Sequence, residues 1–192
     1  MIRLALLRHG HTAWNREGRL QGRSDIPLDD AARADLAQLR LPANWATADL
    51  VSSPLKRAVE TAELVARRAP RVDPALIEMN WGDWEGQHGA KLAENPANGF
   101  RHIEDWGWTY CPPGGETPDA LRHRLTPWLD TLRNDTVAIC HIGTMRVLMA
   151  MATSWDFDGP APFRIKRNRL FVLTVAGGRL SLSPDPERLE RI

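Results

Sequence analysis

The sequence predicts an α/β fold built around a mostly parallel central sheet. Segments 2–7 and 136–140 are almost continuously apolar, which is typical of strands covered on both faces. Segments with helical periodicity separate these strands from others along the chain. Strands that alternate with helices usually form a parallel sheet with helices on its faces. The length suits one unit of this kind, so we expect residues 1–192 to form a single domain.

The order of elements follows from apolar periodicity and from turn residues. Ser53 and Pro54 suit the N-cap and first position of a helix. Pro127 should kink or split a later helix, and Gly177-Gly178 predicts a hairpin turn. The predicted elements are strands at 2–7, 49–52, 136–140, 170–175 and 179–183, and helices at 30–39, 53–68, 117–132 and 143–151.

The stretch 81–115 is predicted to be an irregular cap segment. It is rich in tryptophan and glycine and contains a Pro-Pro pair. A loop of this length in a compact domain is usually functional. Its tryptophans would either pack as the core of the cap or line an entrance and stack on an aromatic substrate. Trp84 is assigned to the core, whereas Trp106 and Trp108 are left open.

Composition and charge argue against several classes of protein. The 25 Lys and Arg residues balance 24 Asp and Glu residues, and a net charge of +1 does not suit a nucleic-acid binder or a polybasic membrane protein. No apolar run approaches the ~20 residues that span a bilayer, and no signal-peptide pattern follows Met1. Two cysteines are too few for a disulfide framework, so we expect a cytoplasmic location.

Three predicted strands deliver charged or titratable side chains at their carboxyl ends. Arg8 and His9 follow the first strand, Arg57 lies in the first turn of the helix after the second, and His141 follows the strand at 136–140. The carboxyl ends of parallel strands border one ligand crevice. Two arginines and two histidines would repel each other there unless an anion lay between them. A phosphate suits the planar guanidinium fork best.

His9 and Glu78 are the candidate reactive groups. Nearby positive charge should keep the imidazole of His9 neutral near pH 7, and a neutral imidazole can attack phosphorus. Arg8, Arg57 and His141 would stabilise charge on the transferred phosphoryl group. A leaving alkoxide needs a proton, and Glu78, just before the Trp-rich segment, is the best candidate for the acid.

A set of motifs in a fixed order resembles the signature of the histidine phosphatase superfamily, which includes cofactor-dependent phosphoglycerate mutase. The resemblance covers residues 2 to about 175, and it implies a phosphoglycerate mutase-like three-layer sandwich. The motifs are LRHGHT at 7–12, GRLQGRSDIPL at 18–28, SSPLKRAVETAE at 52–63, EMNWGDWEG at 78–86, PGGE at 113–116 and HIG at 141–143.

The resemblance also implies a role for each matched position. His9 would be the phosphohistidine nucleophile, with Arg8, Arg57 and His141 around the phosphate. Glu78 would donate the proton and then act as the base that activates water. No metal and no dissociable cofactor are implied. The further residues that would contact phosphate or substrate are Asn15, Gln21, Gly22, Ile142 and Gly143.

Two features favour the phosphatases over the mutases within this resemblance. The interval between Glu78 and His141 is short, whereas mutases carry a longer insertion there. The GDWEG segment at 82–86 resembles phosphatase-branch members such as α-ribazole phosphatase and broad-specificity phosphatases. One segment and one residue depart from the family pattern. Segment 29–34 lacks a glycine that usually opens the next helix, and Ile142 is bulkier than the usual residue, which would narrow the pocket.

We therefore predict a metal-independent phosphomonoesterase of the histidine acid phosphatase type that works through phosphohistidine. The expected partner is a small phosphate ester rather than nucleic acid or a membrane, and the oligomeric state is left open, a homodimer included. Three alternatives remain: a mutase-type phosphotransferase, a non-catalytic phospho-ligand binding module, and a metal-dependent hydrolase with His9 and His11 as ligands.

The basic cluster at 164–169 is interpreted as a solvated loop that leads into an edge strand.

Overall fold

The computed structural model describes all 192 residues as nine strands, six α-helices and five single-turn 3₁₀ helices. The strands are β1 (Ile2–Arg8), β2 (Leu39–Arg40), β3 (Asp49–Ser52), β4 (Arg71–Val72), β5 (Thr136–Cys140), β6 (Arg169–Ala176), β7 (Arg179–Leu182), β8 (Glu187–Arg188) and β9 (Glu190–Arg191). The helices are α1 (Ala13–Glu17), α2 (Asp30–Leu36), α3 (Lys56–Ala66), α4 (Gly89–Ala93), α5 (Pro118–Leu129) and α6 (Ile142–Thr153). None of the helices is long and apolar enough to span a bilayer.

The central sheet confirms the predicted α/β architecture. Its strand order is β4-β3-β5-β1-β6-β7, and β8 also pairs with β6. The first four strands in this order are parallel to one another. Strand β6 runs antiparallel to β1 and to its other neighbours, β7 and β8. The parallel part therefore has all its carboxyl ends at one edge, where a crevice forms.

Helices cover both faces of the sheet, which gives three layers. Leu4 and Leu6 of β1 belong to an apolar cluster shared with α5, α6 and the segment 81–115. Ala5 and Leu7 belong to a second cluster shared with α2 and α3. Successive side chains of a strand point to opposite faces, so a strand covered on both sides must be apolar at every position. This is why segment 2–7 is apolar with almost no interruption.

The predicted cap at Ser53 and Pro54 was wrong, and the predicted split of a helix at Pro127 does not occur. Helix α3 begins at Lys56, with Leu55 as its N-cap residue, so Ser53 and Pro54 do not cap it. The side chain of Ser53 instead faces His141. Helix α5 continues through Pro127 to Leu129 as a single element. Pro127 removes only one backbone hydrogen bond close to the end of the helix, so the loss is tolerated there.

The interpretation of the basic cluster at 164–169 was wrong in one part. Strand β6 begins at Arg169, the last residue of this cluster, and it pairs with β1 on one side and with β7 and β8 on the other, so it is not an edge strand. The elements β2, β4, β8, β9, α1 and α4 were not predicted, because two to five residues are too few to show a period. The hairpin at Gly177-Gly178 is present, and both glycines have positive φ, as a type I′ turn requires.

The tryptophans of segment 81–115 pack mostly as an aromatic core. Trp84 and Trp106 are 2% and 3% exposed, and their ring centroids lie 6.2 Å apart. Trp106 is therefore a core residue, as Trp84 was expected to be. Trp108 is less buried and donates its indole N–H to Asp156 over 2.7 Å. This packing fixes the segment beside the crevice despite its lack of long helices or strands.

Candidate active site

The carboxyl ends of β1, β3 and β5 bring the predicted site residues together. Arg8 ends β1 and His9 follows it, while His141 directly follows β5. The imidazole centroids of His9 and His141 are 5.1 Å apart. Arg57, in the first turn of α3, donates from Nε to Nδ1 of His141 over 3.2 Å. Residues from three distant parts of the chain thus form one cationic cluster, as the strand ends predict.

A cavity of about 160 Å³ opens beside this cluster. The predicted site residues in its wall are Arg8, His9, Asn15, Gln21, Glu78 and Ile142. Arg57 and His141 are fully buried and lie behind the wall. Nε of Arg8 and Nε2 of Gln21 are buried donors without an acceptor. Such donors are costly when unsatisfied, so the cavity suits a ligand with several acceptor oxygens.

The ring of His9 is oriented by the backbone of the next residue, Gly10. Nδ1 lies 2.6 Å from the carbonyl oxygen of Gly10. A carbonyl oxygen only accepts hydrogen bonds, so Nδ1 carries the proton and Nε2 keeps a free lone pair. Burial, followed by the charges of Arg57 and Arg8, lowers the pKa of His9 well below its usual value. The imidazole is therefore neutral near pH 7 and can act as a nucleophile.

His141 is held in the opposite tautomer. Its Nδ1 accepts the hydrogen bond from Arg57, so the proton lies on Nε2, which is 2.7 Å from Oγ of Ser53. Burial is the main cause that lowers the pKa of His141 well below its usual value. His141 is thus a neutral side chain that positions Arg57 and adds no charge of its own.

Arg57 uses its guanidinium group to anchor the loop that carries Gly22. Nη2 donates to the carbonyl of Gly22 over 2.6 Å, and Nη1 donates to the carbonyl of Ser24 over 2.8 Å. Burial lowers the pKa of Arg57 to about 10, and that of Arg8 to about 9, so both remain charged at neutral pH. In this conformation Arg57 acts on the cavity through its charge, while Arg8 presents a free donor.

Gly22 is placed by close packing rather than by exposure to the cavity. A Cβ atom at this position would lie 2.1 Å from Oε1 of Glu85 and 2.9 Å from the carbonyl oxygen of Met79. Glu85 binds this loop through the backbone N–H groups of Arg23 and Ser24. The glycine therefore allows segment 78–86 to clamp the loop against Arg57.

Asn15 and Gln21 form a network at the cavity rim. The amide oxygen of Gln21 accepts from Oγ1 of Thr12 over 2.9 Å and from Nδ2 of Asn15 over 3.3 Å. These bonds fix the amide so that Nε2 of Gln21 is left free. The same Thr12 hydroxyl accepts from the backbone N–H of Asn15 and caps α1. A short helix thereby holds both predicted substrate contacts in place.

Glu78 lies against the N-terminus of α6. Its carboxylate oxygens accept from the backbone N–H groups of Met79, Gly143 and Thr144 over 2.8, 3.0 and 3.1 Å. These bonds favour the ionised form, but burial outweighs them and raises the pKa of Glu78 above its usual value. A carboxyl group with a raised pKa can carry a proton to a leaving group.

Two arginines were missed by sequence reasoning. Arg167 donates from Nε to the carbonyl of His9 over 3.1 Å and from Nη2 to Oδ1 of Asn15 over 2.9 Å. Its partners are too distant in the chain for any local signal to indicate them. Arg146 lines the cavity one helical turn after Ile142. That spacing places both side chains on one face of α6, which could have been inferred from the sequence.

The structure does not support a metal-dependent hydrolase with His9 and His11 as ligands. No group of three or more His, Cys, Asp or Glu side chains comes together in a way that could hold a metal ion. His11 instead lines a separate cavity with Arg16 and Arg167. Burial, followed by the charges of these two arginines, lowers the pKa of His11.

Gly143→Ala is expected to displace the Glu78 carboxyl. A Cβ atom at position 143 would lie 2.5 Å from Oε1 of Glu78, closer than non-bonded atoms can approach. Two of the hydrogen bonds that hold Glu78 also come from this end of α6. We expect kcat/KM for a phosphomonoester to fall on the order of 10²-fold, the scale for loss of a general acid.

The matched control is Gly89→Ala, because nothing lies closer than 3.8 Å to a Cβ atom there. This variant should retain kcat/KM within about twofold and should melt at or slightly above the wild-type temperature. Equal activity for Gly143→Ala and wild type, with both proteins folded by circular dichroism, would contradict the placement of Glu78.

The chain is similar to the members of one family. A family model described as the histidine phosphatase superfamily (branch 1) matches residues 4–183. Phosphoglycerate mutase-like protein 4 of Arabidopsis thaliana is 31% identical over 166 residues, which are 78% of this chain and 70% of that protein. Other curated relatives are longer, and the matches span 44% or 64% of their length.

Solved structures share the fold over nearly the whole chain. A phosphoglycerate mutase from Thermus thermophilus superposes with a TM-score of 0.74 at 32% identity, covering 98% of this chain and 100% of that one. A protein from Escherichia coli str. K-12 substr. MG1655, provisionally described as an alpha-ribazole-5'-P phosphatase, gives a TM-score of 0.72 at 26% identity, covering 95% and 94%.

Proposed function

The chain belongs to branch 1 of the histidine phosphatase superfamily, and from this premise we propose that it hydrolyses a small phosphomonoester through a phosphohistidine intermediate without a metal ion. One observation carries the proposal. A neutral, oriented imidazole and a carboxyl group with a raised pKa lie in the wall of one cavity, beside a buried arginine with a free donor. A nucleophile, an acid and a phosphate ligand are the groups that phosphoryl transfer requires.

The first step transfers the phosphoryl group to His9. The lone pair on Nε2 attacks phosphorus, and the bond between phosphorus and the ester oxygen breaks. That oxygen leaves with the electron pair and takes the proton of Glu78. Arg8 and Arg57 stabilise the negative charge on the phosphoryl oxygens as the transition state forms.

The second step returns the enzyme to its starting state. Glu78, now a carboxylate, takes a proton from a water molecule while the water oxygen attacks phosphorus. The bond between phosphorus and Nε2 breaks, and the electron pair returns to the imidazole. Inorganic phosphate leaves, Glu78 is again protonated, and His9 is again neutral. Because one carboxyl group serves both steps, its pKa must allow both forms near the working pH.

A mutase-type phosphotransferase is the second candidate. It is favoured by the names of two relatives, a phosphoglycerate mutase from Thermus thermophilus and phosphoglycerate mutase-like protein 4 of Arabidopsis thaliana. A mutase returns the phosphoryl group to a bound hydroxyl group and must keep water away from phosphohistidine. Hydrolysis is favoured here because the interval between Glu78 and His141 is short and leaves little chain to close over the site.

A panel of phosphomonoesters, assayed in the presence of a chelator, tests the proposal. We expect phosphate release from at least one sugar phosphate, nucleotide, aryl phosphate or α-ribazole phosphate at a rate that the chelator does not change. Isomerisation of phosphoglycerate that depends on a bisphosphorylated primer, with little phosphate released, would support the mutase instead. Tight binding without turnover of any ester would support the binding module.

A further inference from the structure

A second cavity adjoins the candidate active site across one face of α6. Its volume is about 140 Å³, and it shares Ile142 and Arg146 with the first cavity. These two residues are one helical turn apart, so their side chains form a common edge between the two spaces. A substrate whose phosphate lies in the first cavity can therefore extend over this edge into the second.

The wall of the second cavity opposite α6 is apolar. It comes from the alternate residues Ala161, Phe163 and Ile165 of one segment. Phe163 packs edge-on against Trp155, with ring centroids 5.5 Å apart, and Trp155 is itself 7% exposed. An apolar wall held in place by aromatic packing suits an apolar or aromatic part of a ligand.

Arg146 is a partly buried cation without an acceptor. Its guanidinium group makes no hydrogen bond and no ion pair with any other side chain or carbonyl in the structure. Burial lowers its pKa, while the more distant carboxylates of Glu78 and Glu104 oppose this shift. A guanidinium group that is partly removed from water and has no protein partner can bind an anion at the shared edge, which would offset the cost of its burial.

The charges around the two cavities indicate the class of that anion. Arg8 and Arg57 match the two negative charges of a phosphate monoester, with Glu78 protonated. Among the other side chains in the walls of the two cavities, Arg19 is paired with Glu17, and Arg164 and Glu104 offset each other at the second cavity. Arg167 lies outside both walls and uses its donors on the His9 carbonyl and on Asn15. Arg146 is left as one positive charge in excess, which fits a monoanion such as a carboxylate.

We propose that the second cavity is a subsite for the leaving group of the substrate, and that Arg146 selects a leaving group that joins an apolar body to a carboxylate. The inference rests on the proposed function, because it takes the first cavity as the phosphate site. The inference assigns a substrate class to the proposed phosphatase, namely a phosphomonoester whose leaving group is largely apolar and carries a carboxylate. Neither the family model nor the names of the relatives assign this subsite.

Binding of phosphonates tests the subsite independently of turnover. Phenylphosphonate and its 2-, 3- and 4-carboxylate derivatives cannot be hydrolysed, and calorimetry measures the Kd of each. We expect at least one carboxylate isomer to bind the wild type about 10- to 100-fold more tightly than phenylphosphonate, the scale of a charge-assisted hydrogen bond. The corresponding neutral carboxamide should show no such gain.

Substitution of Arg146 assigns the effect to its side chain. Arg146→Met should remove the gain, whereas Arg146→Lys, which keeps the charge and loses the planar fork, should retain part of it. Arg179→Met changes an exposed arginine on β7 and should keep the full gain. Thermal melting of each variant shows that it is folded. Retention of the gain in Arg146→Met, or no gain in the wild type, would overturn the inference.

The failure of this inference can be told apart from failure of the proposed function. Phosphate release from simple phosphomonoesters, combined with equal Kd values for all the phosphonates, would overturn the subsite alone. No hydrolysis of any ester, combined with tighter binding of a carboxylate isomer that requires Arg146, would overturn the phosphatase and support the subsite.

Discussion

Replacing His9 with alanine is expected to lower kcat for phosphomonoester hydrolysis on the order of 10⁶-fold, the scale seen when a covalent nucleophile is removed. The reason is local. Nε2 of His9 carries a free imidazole lone pair, and the contact between Nδ1 and the Gly10 carbonyl orients the ring. His141 cannot replace it, because its two nitrogens are committed to Arg57 and Ser53. Phosphate release from a saturating aryl phosphate measures the loss.

His9→Gln and His123→Ala are the control variants for His9→Ala. Glutamine nearly fills the volume of the imidazole, so an inactive but normally melting His9→Gln protein separates chemistry from folding. His123 is an exposed histidine of α5 whose side chain is 73% accessible, and its replacement should leave kcat within about twofold. If His9→Ala kept more than about a hundredth of the wild-type kcat, the covalent route would be wrong.

Replacing Glu78 with glutamine is expected to lower kcat/KM for an alkyl phosphate on the order of 10²- to 10⁴-fold, the range for loss of a general acid. The loss should be smaller for 4-nitrophenyl phosphate, because nitrophenolate leaves without a proton. The second step also needs Glu78, as a base, so phosphohistidine should accumulate in this variant after a burst of nitrophenol. Rapid-quench kinetics measures both effects.

The pH profile of kcat/KM gives a second test of Glu78. The first step needs neutral His9 and is lost as pH falls through the pKa of His9, which burial places well below its usual value. It also needs protonated Glu78 and is lost as pH rises through the pKa of Glu78, which burial raises. We therefore expect an optimum on the acid side of neutrality. Glu78→Gln should remove the alkaline limb for an alkyl phosphate.

Glu94→Gln is the control for this variant, because Glu94 is an exposed carboxylate at the end of α4. It should leave the profile unchanged. An alkaline limb that persists in Glu78→Gln would assign the proton to another group.

Glu78 also has a structural role that the sequence did not reveal. Its hydrogen bonds to Gly143 and Thr144 satisfy the free N–H groups at the start of α6. A helix N-terminus stabilises a carboxylate, so it would make release of the proton to the leaving group easier in the first step. The raised pKa of Glu78 is therefore a balance between burial and these bonds. In the proposed mechanism this balance would let the same carboxyl group donate a proton and then accept one.

The parts of the fold that could be predicted are those with a local signal. Segments 2–7 and 136–140 are apolar because both faces of the sheet are covered, and the residues after them meet because the strands are parallel. The prediction for Ser53 failed because a tertiary contact with His141 outweighed its capping preference. Local propensity is a weak guide where a side chain has a partner far along the chain.

The arginines of the candidate site also show that a local sequence signal does not reveal contacts between residues far apart in the chain. Arg8 and Arg57 were found because each follows a predicted strand. Arg167 was assigned to a solvated loop, yet it contacts the backbone of His9, a residue from the opposite end of the chain. Arg146 could have been inferred from its spacing to Ile142, but its lack of a partner is visible only in three dimensions. Positions with an unsatisfied charge are where a ligand is expected.

Trapping of the phosphorylated enzyme tests the central claim most directly. A phosphomonoester is mixed with the wild-type protein, the reaction is quenched with base, which preserves phosphohistidine, and the attachment site is determined by mass spectrometry. We expect one phosphoryl group on His9, formed fast enough to precede phosphate release and absent from His9→Ala. Phosphate release with no covalent intermediate, or a phosphoryl group on another residue such as His11 or His141, would contradict it.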